Sequence, residues 1–110
     1  MDEIAVERVL RIIELVPTAH VVAYGTVGTV ADCSPRYVGR VMREFGSNVT
    51  WWRVVNAAGI LPPELFARAR IHWEEEGTPH SHEQVERAAF LDVDELDRLW
   101  RSHGIDPECG

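Results

Sequence analysis

The chain has 110 residues, a formal net charge of −7 and a hydrophobic share of 45%. These values fit one small globular domain, so we predict a single domain over 1–110 with a C-terminal helical extension over 78–110. No apolar run reaches the ~20 residues needed to span a bilayer, and the acidic start MDEIAVERVL is not typical of a signal peptide. We therefore expect a cytoplasmic protein without a membrane partner.

The first half of the chain begins with a predicted helix over 2–16, because apolar residues recur there at helical spacing and Pro17 follows them. A short extended segment then ends at Gly25. Thr26 is a suitable cap for a short helix that continues to about Ala31.

A second, amphipathic helix is predicted from Pro35 to Phe45, with Ser34 as its N-cap and Gly46 just beyond its end. Its apolar face consists of Val38, Val41, Met42 and Phe45. Its arginines, Arg36, Arg40 and Arg43, form a separate stripe that cannot face the same core. The two helices and the turn between them match a helix-turn-helix pattern, for which DNA contact and a solvated helix face are equally good interpretations on spacing alone.

The second half predicts a β-prone segment over 49–55, a loop over 56–59 and a helix from Pro62 to Gly77. The buried side of that helix is predicted to consist of Leu65, Phe66, Ala69 and Trp73. Asp92 begins a capping-box pattern before a last helix. The predicted fold is mostly α with a small β wing, a winged helix-turn-helix.

The charges are unevenly distributed along the sequence. Over 34–53 four arginines stand against the single acid Glu44, whereas acids concentrate over 74–76 and 92–97. An acidic protein with one locally basic face can still dock on phosphates through that face.

The candidates for a nucleophile or a metal ligand are two cysteines and a pair of histidines. Cys33 and Cys109 lie far apart, and neither has a histidine or lysine beside it that would lower its pKa, so we expect free thiols that are not nucleophiles. His80 and His82 lack a third ligand at a convincing spacing, so we predict no metal and no cofactor.

Three segments carry a resemblance to a known family. They are Tyr24-Gly25-Thr26, Arg36-Tyr37-Val38-Gly39-Arg40-Val41-Met42 and Trp51-Trp52-Arg53-Val54-Val55-Asn56-Ala57-Ala58-Gly59. In order and spacing they resemble the C-terminal domain of the O6-alkylguanine-DNA alkyltransferases, over roughly residues 4–77. That family carries a Pro-Cys-His-Arg-Val core, followed by an asparagine-containing turn and a glycine.

The departures from this pattern concern the reactive residues. Trp51 stands where the family has its acceptor cysteine, Trp52 where it has the activating histidine, and Thr50 where it has the proline. Alkyl transfer requires a thiolate, which an indole does not supply. The chain therefore resembles the alkyltransferase-like proteins, whose acceptor cysteine is replaced, and the resemblance implies that it is not an enzyme. Those relatives usually keep the histidine that is Trp52 here.

The resemblance implies that a monomer binds double-stranded DNA containing O6-alkylguanine, flips the damaged nucleotide out of the helix and flags it for nucleotide excision repair proteins. The implied DNA-binding residues are Tyr24, Arg36, Gly39, Arg40 and Arg43. The implied lesion-pocket residues are Tyr24, Trp51, Val54, Asn56, Ala57, Ala58 and Gly59. Arg36 would fill the gap in the base stack and Trp51 would form a pocket wall. We expect Trp52 to be a core residue and Arg53 to support the fold.

Two other functions remain open at this stage. A winged-helix transcription regulator would read unmodified DNA in the major groove, without sensitivity to alkylation. A glycosylase would need a carboxylate near the sugar, and the absence of an acid between Gly46 and Pro63 argues against it.

Overall fold

The computed structural model describes residues 2–103, and Cys109 lies outside them. In chain order the elements are α1 (Glu3–Glu14), β1 (Val22–Ala23), α2 (Tyr24–Ala31), α3 (Pro35–Phe45), β2 (Val54–Val55), α4 (Pro63–Glu76) and α5 (Val93–His103). The prediction of a mostly α fold with a small β part is confirmed. None of the helices in residues 2–103 is both long enough and apolar enough to cross a membrane.

The β part is a pair of two-residue parallel strands, with Val22 opposite Val54 and Ala23 opposite Val55. Only the last two residues of the β-prone segment 49–55 become a strand, because Trp51–Arg53 form a single turn of 3-10 helix. Side chains alternate between the two sides of a strand, so the pair contributes to the apolar clusters on both sides of it.

The start of α2 differs from the sequence prediction. The helix begins at Tyr24, so Gly25 lies inside it and Thr26 is not its cap. Ala23, the N-cap, has an extended backbone because it belongs to β1 and pairs with Val55, and its methyl side chain has no atom that could accept a capping hydrogen bond. A contact between distant segments therefore decides where this helix begins.

The turn between α2 and α3 depends on a close backbone approach. Asp32 adopts the left-handed conformation with φ 61°, and the Cys33 N–H donates to the Gly28 carbonyl at 2.8 Å. A Cβ added at Gly28 would lie 2.6 Å from the Cys33 carbonyl oxygen. Only glycine allows the turn to pack this closely against α2.

Local signals predicted the bounds of α3 correctly. The Ser34 hydroxyl accepts a hydrogen bond from the Tyr37 N–H at 3.1 Å, and Pro35 occupies the first helical position. Val38 and Val41 are fully buried, as predicted. The prediction for Phe45 was wrong, because its side chain is exposed where α3 ends and the chain continues into a 3-10 turn at Gly46–Asn48.

Two apolar clusters form the core. The first packs α1, α2, α3 and α5 together, whereas the second surrounds Trp73 of α4. The predicted extension from residue 78 is part of both clusters, through Val85, Ala89, Leu91 and Leu96. The predicted cap of α5 is confirmed, since the Asp92 carboxylate accepts from the Glu95 N–H at 2.9 Å.

Candidate nucleic-acid interface

The exposed face of α3 carries the predicted arginine stripe. Arg36, Arg40 and Arg43 are all exposed, on a helix whose opposite face is buried. Arg40 Nε lies 3.6 Å from Glu44 Oε1, a solvent-exposed pair of small energetic value. A Cβ added at Gly39 would meet nothing within 4 Å, so the helix surface beside the arginines is open to close approach by a ligand.

A cleft of about 910 Å³ adjoins this helix face. It brings together five residues that the sequence assigned to the interface: Tyr24, Gly39, Arg43, Trp51 and Asn56. Burial raises the pKa of the Tyr24 phenol, and the positive charge of Arg43 offsets part of that rise. The phenol is therefore a neutral hydrogen-bond donor at the cleft wall at neutral pH.

Trp51 is half-buried and lines this cleft. Its ring meets Trp52 and His72 edge to face, at centroid distances of 5.8 Å in both cases. The Arg68 guanidinium carbon lies 5.4 Å from the Trp51 ring centroid. Neighbouring side chains thus hold the indole in place while part of it remains available to an occupant of the cleft.

Trp52 has a different environment, in the cluster around Trp73. It stacks on His72 with a centroid distance of 3.6 Å and an interplanar angle of 5°. Its indole N–H donates to Glu76 at 2.9 Å, and its carbonyl accepts from the Trp73 indole at 2.7 Å. Trp52 does not line the cleft; it was predicted to be a core residue, and it is half-buried and packs against the second cluster.

Arg53 and Glu76 form a well-shielded ion pair behind the tryptophans. The Arg53 Nη2 donates to Glu76 Oε2 at 2.6 Å and Nε donates to Oε1 at 3.1 Å. Burial raises the pKa of Glu76, but hydrogen bonds from Arg53, Trp52 and the Ala19 N–H outweigh it and hold that pKa below its ordinary value. The expectation that Arg53 supports the fold is confirmed.

Asn56 organises the loop that follows β2. Its side-chain oxygen accepts from the Ala58 and Ile60 N–H groups, both at 2.9 Å, and its carbonyl accepts from the Gly59 N–H. The side-chain oxygen that could have bound a ligand is therefore already bonded within the loop. Asn56 shapes the cleft wall that it lines.

The remaining predicted pocket residues do not line this cleft. Val54 is in the core, at 1% exposure. Gly59 has φ 82°, and a Cβ there would lie 2.5 Å from the Val85 carbonyl oxygen, so it is a packing residue. Ala58 is exposed outside the cleft, and Ala57 lines a second one.

The second cleft, of about 720 Å³, shares Tyr24 and Asn56 with the first. It also contains Cys33, whose thiol has its pKa raised by burial and by the negative charge of Asp32. The described cysteine is therefore outside the cleft that contains Trp51, and its environment disfavours the thiolate.

Comparison with known proteins identifies the family. Residues 5–84 match the model of the 6-O-methylguanine DNA methyltransferase DNA-binding domain. The chain belongs to this family. Comparison of the chain with curated protein sequences found no match. Among solved structures, S. pombe Atl1, in a crystal with damaged DNA containing O6-carboxymethylguanine, is 27% identical with a TM-score of 0.60. The match covers 70% of this chain and 78% of the Atl1 chain.

These findings confirm the recognised resemblance to the alkyltransferase-like proteins of the methyltransferase family, and the fold class that it implied. The family match, over residues 5–84, includes all five predicted interface residues that line the cleft: Tyr24, Gly39, Arg43, Trp51 and Asn56.

Sequence reasoning missed the side of the cleft contributed by α4 and the loop before it. Ile60, Pro62, Glu64 and Arg68 all line the cleft. Arg68 follows Leu65 by three positions and so shares a helix face with it, a signal that could have been used. Glu64 directly follows the acid-free interval between Gly46 and Pro63, and its side chain lines the cleft.

Proposed function

We propose that this chain binds O6-alkylguanine in double-stranded DNA, accommodates the flipped base in the cleft beside Trp51, and transfers no alkyl group. The observation that carries the proposal is the half-buried Trp51 indole at a large cleft, next to the arginine face of α3. An apolar ring at this point favours an alkylated oxygen, because the alkyl group gains contact and loses water.

The charges support docking through α3. Arg36, Arg40 and Arg43 are exposed on one helix of a protein whose net charge is −7, so a DNA backbone is attracted to this face more than to the rest of the surface. Gly39, between them, allows the helix to approach a groove closely. Arg36, by the family resemblance, would occupy the space that the flipped nucleotide leaves in the stack.

The residues of the cleft support binding without turnover. Displacement at the alkyl carbon needs a thiolate in line with it, and the described cysteine, Cys33, lies in the second cleft with a raised pKa. S. pombe Atl1 was crystallised with DNA containing O6-carboxymethylguanine, which supports a similar ligand here. A protein that holds a lesion and leaves it unchanged must pass it on, and we propose hand-over to nucleotide excision repair.

Competition binding with duplexes identical except for one O6-methylguanine tests the proposal. The wild type should prefer the modified duplex, and Arg36→Ala and Trp51→Ala should each remove the preference. Arg98→Ala, an exposed change on α5, should leave it intact. Equal affinity of the wild type for both duplexes would instead favour a transcription regulator.

A labelled methyl group on the guanine tests the absence of chemistry. The label should remain on intact DNA after long incubation with the protein. Label recovered on the protein would reveal alkyl transfer, and release of the labelled base would reveal a glycosylase that uses the cleft carboxylate Glu64. Faster excision of the lesion in a repair-competent extract supplemented with the protein would support the hand-over.

A further inference from the structure

Arg68 is an exposed residue of α4 whose side chain lines the wall of the cleft. Within residues 2–103, no acidic side chain lies in salt-bridge range of Arg68, which is exposed on α4. Arg70, two positions further along the same helix, is by contrast 3.8 Å from Glu74. The positive charge of Arg68 is thus available to whatever occupies the cleft.

Arg68 also lies at the place where an adduct would extend. Its guanidinium carbon is 5.4 Å from the centroid of the Trp51 ring. In the related alkyltransferases a thiolate at the position of Trp51 meets the alkyl carbon bonded to O6. A base bound in the same orientation would therefore place that carbon against the indole. Atoms beyond this carbon would then extend past the ring, towards the side chain that approaches it.

The composition of the cleft favours one class of adduct. Apolar side chains, among them Ile60, Pro62 and Leu65, can contact a short hydrocarbon linker. The charged groups that line the cleft are two guanidinium groups, of Arg43 and Arg68, and the single carboxylate of Glu64. A guanidinium pairs well with a carboxylate, through parallel N–H donors that match its two oxygens.

We propose that Arg68 is a specificity-determining residue, which makes the cleft favour O6 adducts that end in a carboxylate over neutral adducts of the same size. This inference rests on the proposed binding of O6-alkylguanine beside Trp51. A neutral tail fills the same space and contacts the same apolar residues, but it forms no ion pair with the guanidinium. The preference is therefore electrostatic and should weaken as the salt concentration rises.

The test compares three duplexes that differ at one guanine: unmodified, O6-carboxymethyl and the neutral isostere O6-carbamoylmethyl. Dissociation constants are measured by competition at one salt concentration, for the wild type, Arg68→Gln and the control Arg70→Gln. The control removes a charge from the same helix, roughly 200° around its axis from Arg68. Because Arg68 is exposed, its ion pair should be worth about a threefold preference for the carboxymethyl over the carbamoylmethyl duplex.

Arg68→Gln should bring this preference close to unity, and Arg70→Gln should retain it. An equal loss of affinity for all three duplexes in Arg68→Gln would make Arg68 a phosphate contact and overturn the inference. A gain for all three would also overturn it, because Arg68 would then obstruct the cleft. If the wild type does not distinguish the carbamoylmethyl duplex from the unmodified one, the proposed function itself fails, which is a separate outcome.

Discussion

Replacement of Glu76 by alanine tests the network that holds the tryptophan segment in place. The carboxylate of Glu76 accepts from the Trp52 indole at 2.9 Å and from the Ala19 N–H at 3.2 Å. It also receives two hydrogen bonds from Arg53, and the side chains of this ion pair are only 13% and 12% exposed. The change therefore removes four accepted hydrogen bonds and the counterion of a shielded guanidinium.

The size of the effect follows from what remains around Arg53. In Glu76→Ala the guanidinium keeps the Val16 carbonyl at 2.8 Å and the Thr18 hydroxyl at 3.3 Å as partners, but no negative charge. Loss of one member of a buried pair costs about 3–5 kcal/mol. At about 4 °C per kcal/mol for a domain of this size, Tm should fall by about 12–20 °C.

Thermal unfolding followed by far-UV circular dichroism measures this shift. Glu74→Ala is the matched control, because Glu74 lies on the same helix and forms only an exposed pair with Arg70. That change should cost less than about 1 kcal/mol. If Glu76→Ala melted at the same temperature as Glu74→Ala, the network around Glu76 would not stabilise the fold.

Acid pH provides a second measure of the same network. Burial raises the pKa of Glu76, but its hydrogen bonds from Arg53, Trp52 and Ala19 lower that pKa by a larger amount. The pKa in the folded state is therefore below the ordinary value. The stabilisation is therefore complete above the unfolded pKa of about 4.3 and is lost as the pH falls through the lower folded pKa. Urea midpoints measured against pH should fall less steeply in this acid range for Glu76→Gln than for the wild type, and identical slopes would contradict the assignment.

Three substitutions test the packing and caps that position the helices, each by urea unfolding against the wild type. Gly28→Ala would place a methyl group 2.6 Å from the Cys33 carbonyl oxygen and should destabilise the α2–α3 turn by about 1–3 kcal/mol, whereas an unchanged midpoint would mean that the turn can relax without cost. Ser34→Ala removes the oxygen that accepts from the Tyr37 N–H at 3.1 Å and should cost about 1 kcal/mol, while Ser34→Asp, which keeps an acceptor, should not. Leu96→Ala should cost about 2–5 kcal/mol, because this side chain is fully buried in the first cluster; a loss below 1 kcal/mol would mean that α5 is dispensable for the core.

The sequence predicted best where the signal is local. The start of α3 follows from Ser34 and Pro35, and the bounds of α4 follow from Pro63 at its first position and from Gly77, which adopts φ 78° just after its end. Caps and breakers act within a few residues through backbone hydrogen bonds, so they can be recognised without tertiary contacts. The start of α2 was mispredicted because the pairing of Ala23 with Val55 sets it.

The two tryptophans show where local signals end. Adjacent in the chain, Trp51 lines the cleft whereas Trp52 stacks on His72 and donates to Glu76. Their different roles followed from a family resemblance, because neither periodicity nor composition distinguishes neighbouring residues in an irregular segment. The burial of Val54 and the packing of Gly59 against Val85 were likewise beyond local reasoning.

What the sequence determined by itself was the helical architecture and the arginine stripe of α3, together with the family resemblance that predicts an indole, Trp51, at the position of the reactive cysteine. What only the tertiary structure decided was the shape of the cleft and the identity of its far wall, including Arg68 and Glu64. The physical reason is that helix periodicity and capping depend on neighbours one or two turns away. A cleft, in contrast, is formed by segments that meet only when the core packs, and the Arg53–Glu76 pair joins two such segments.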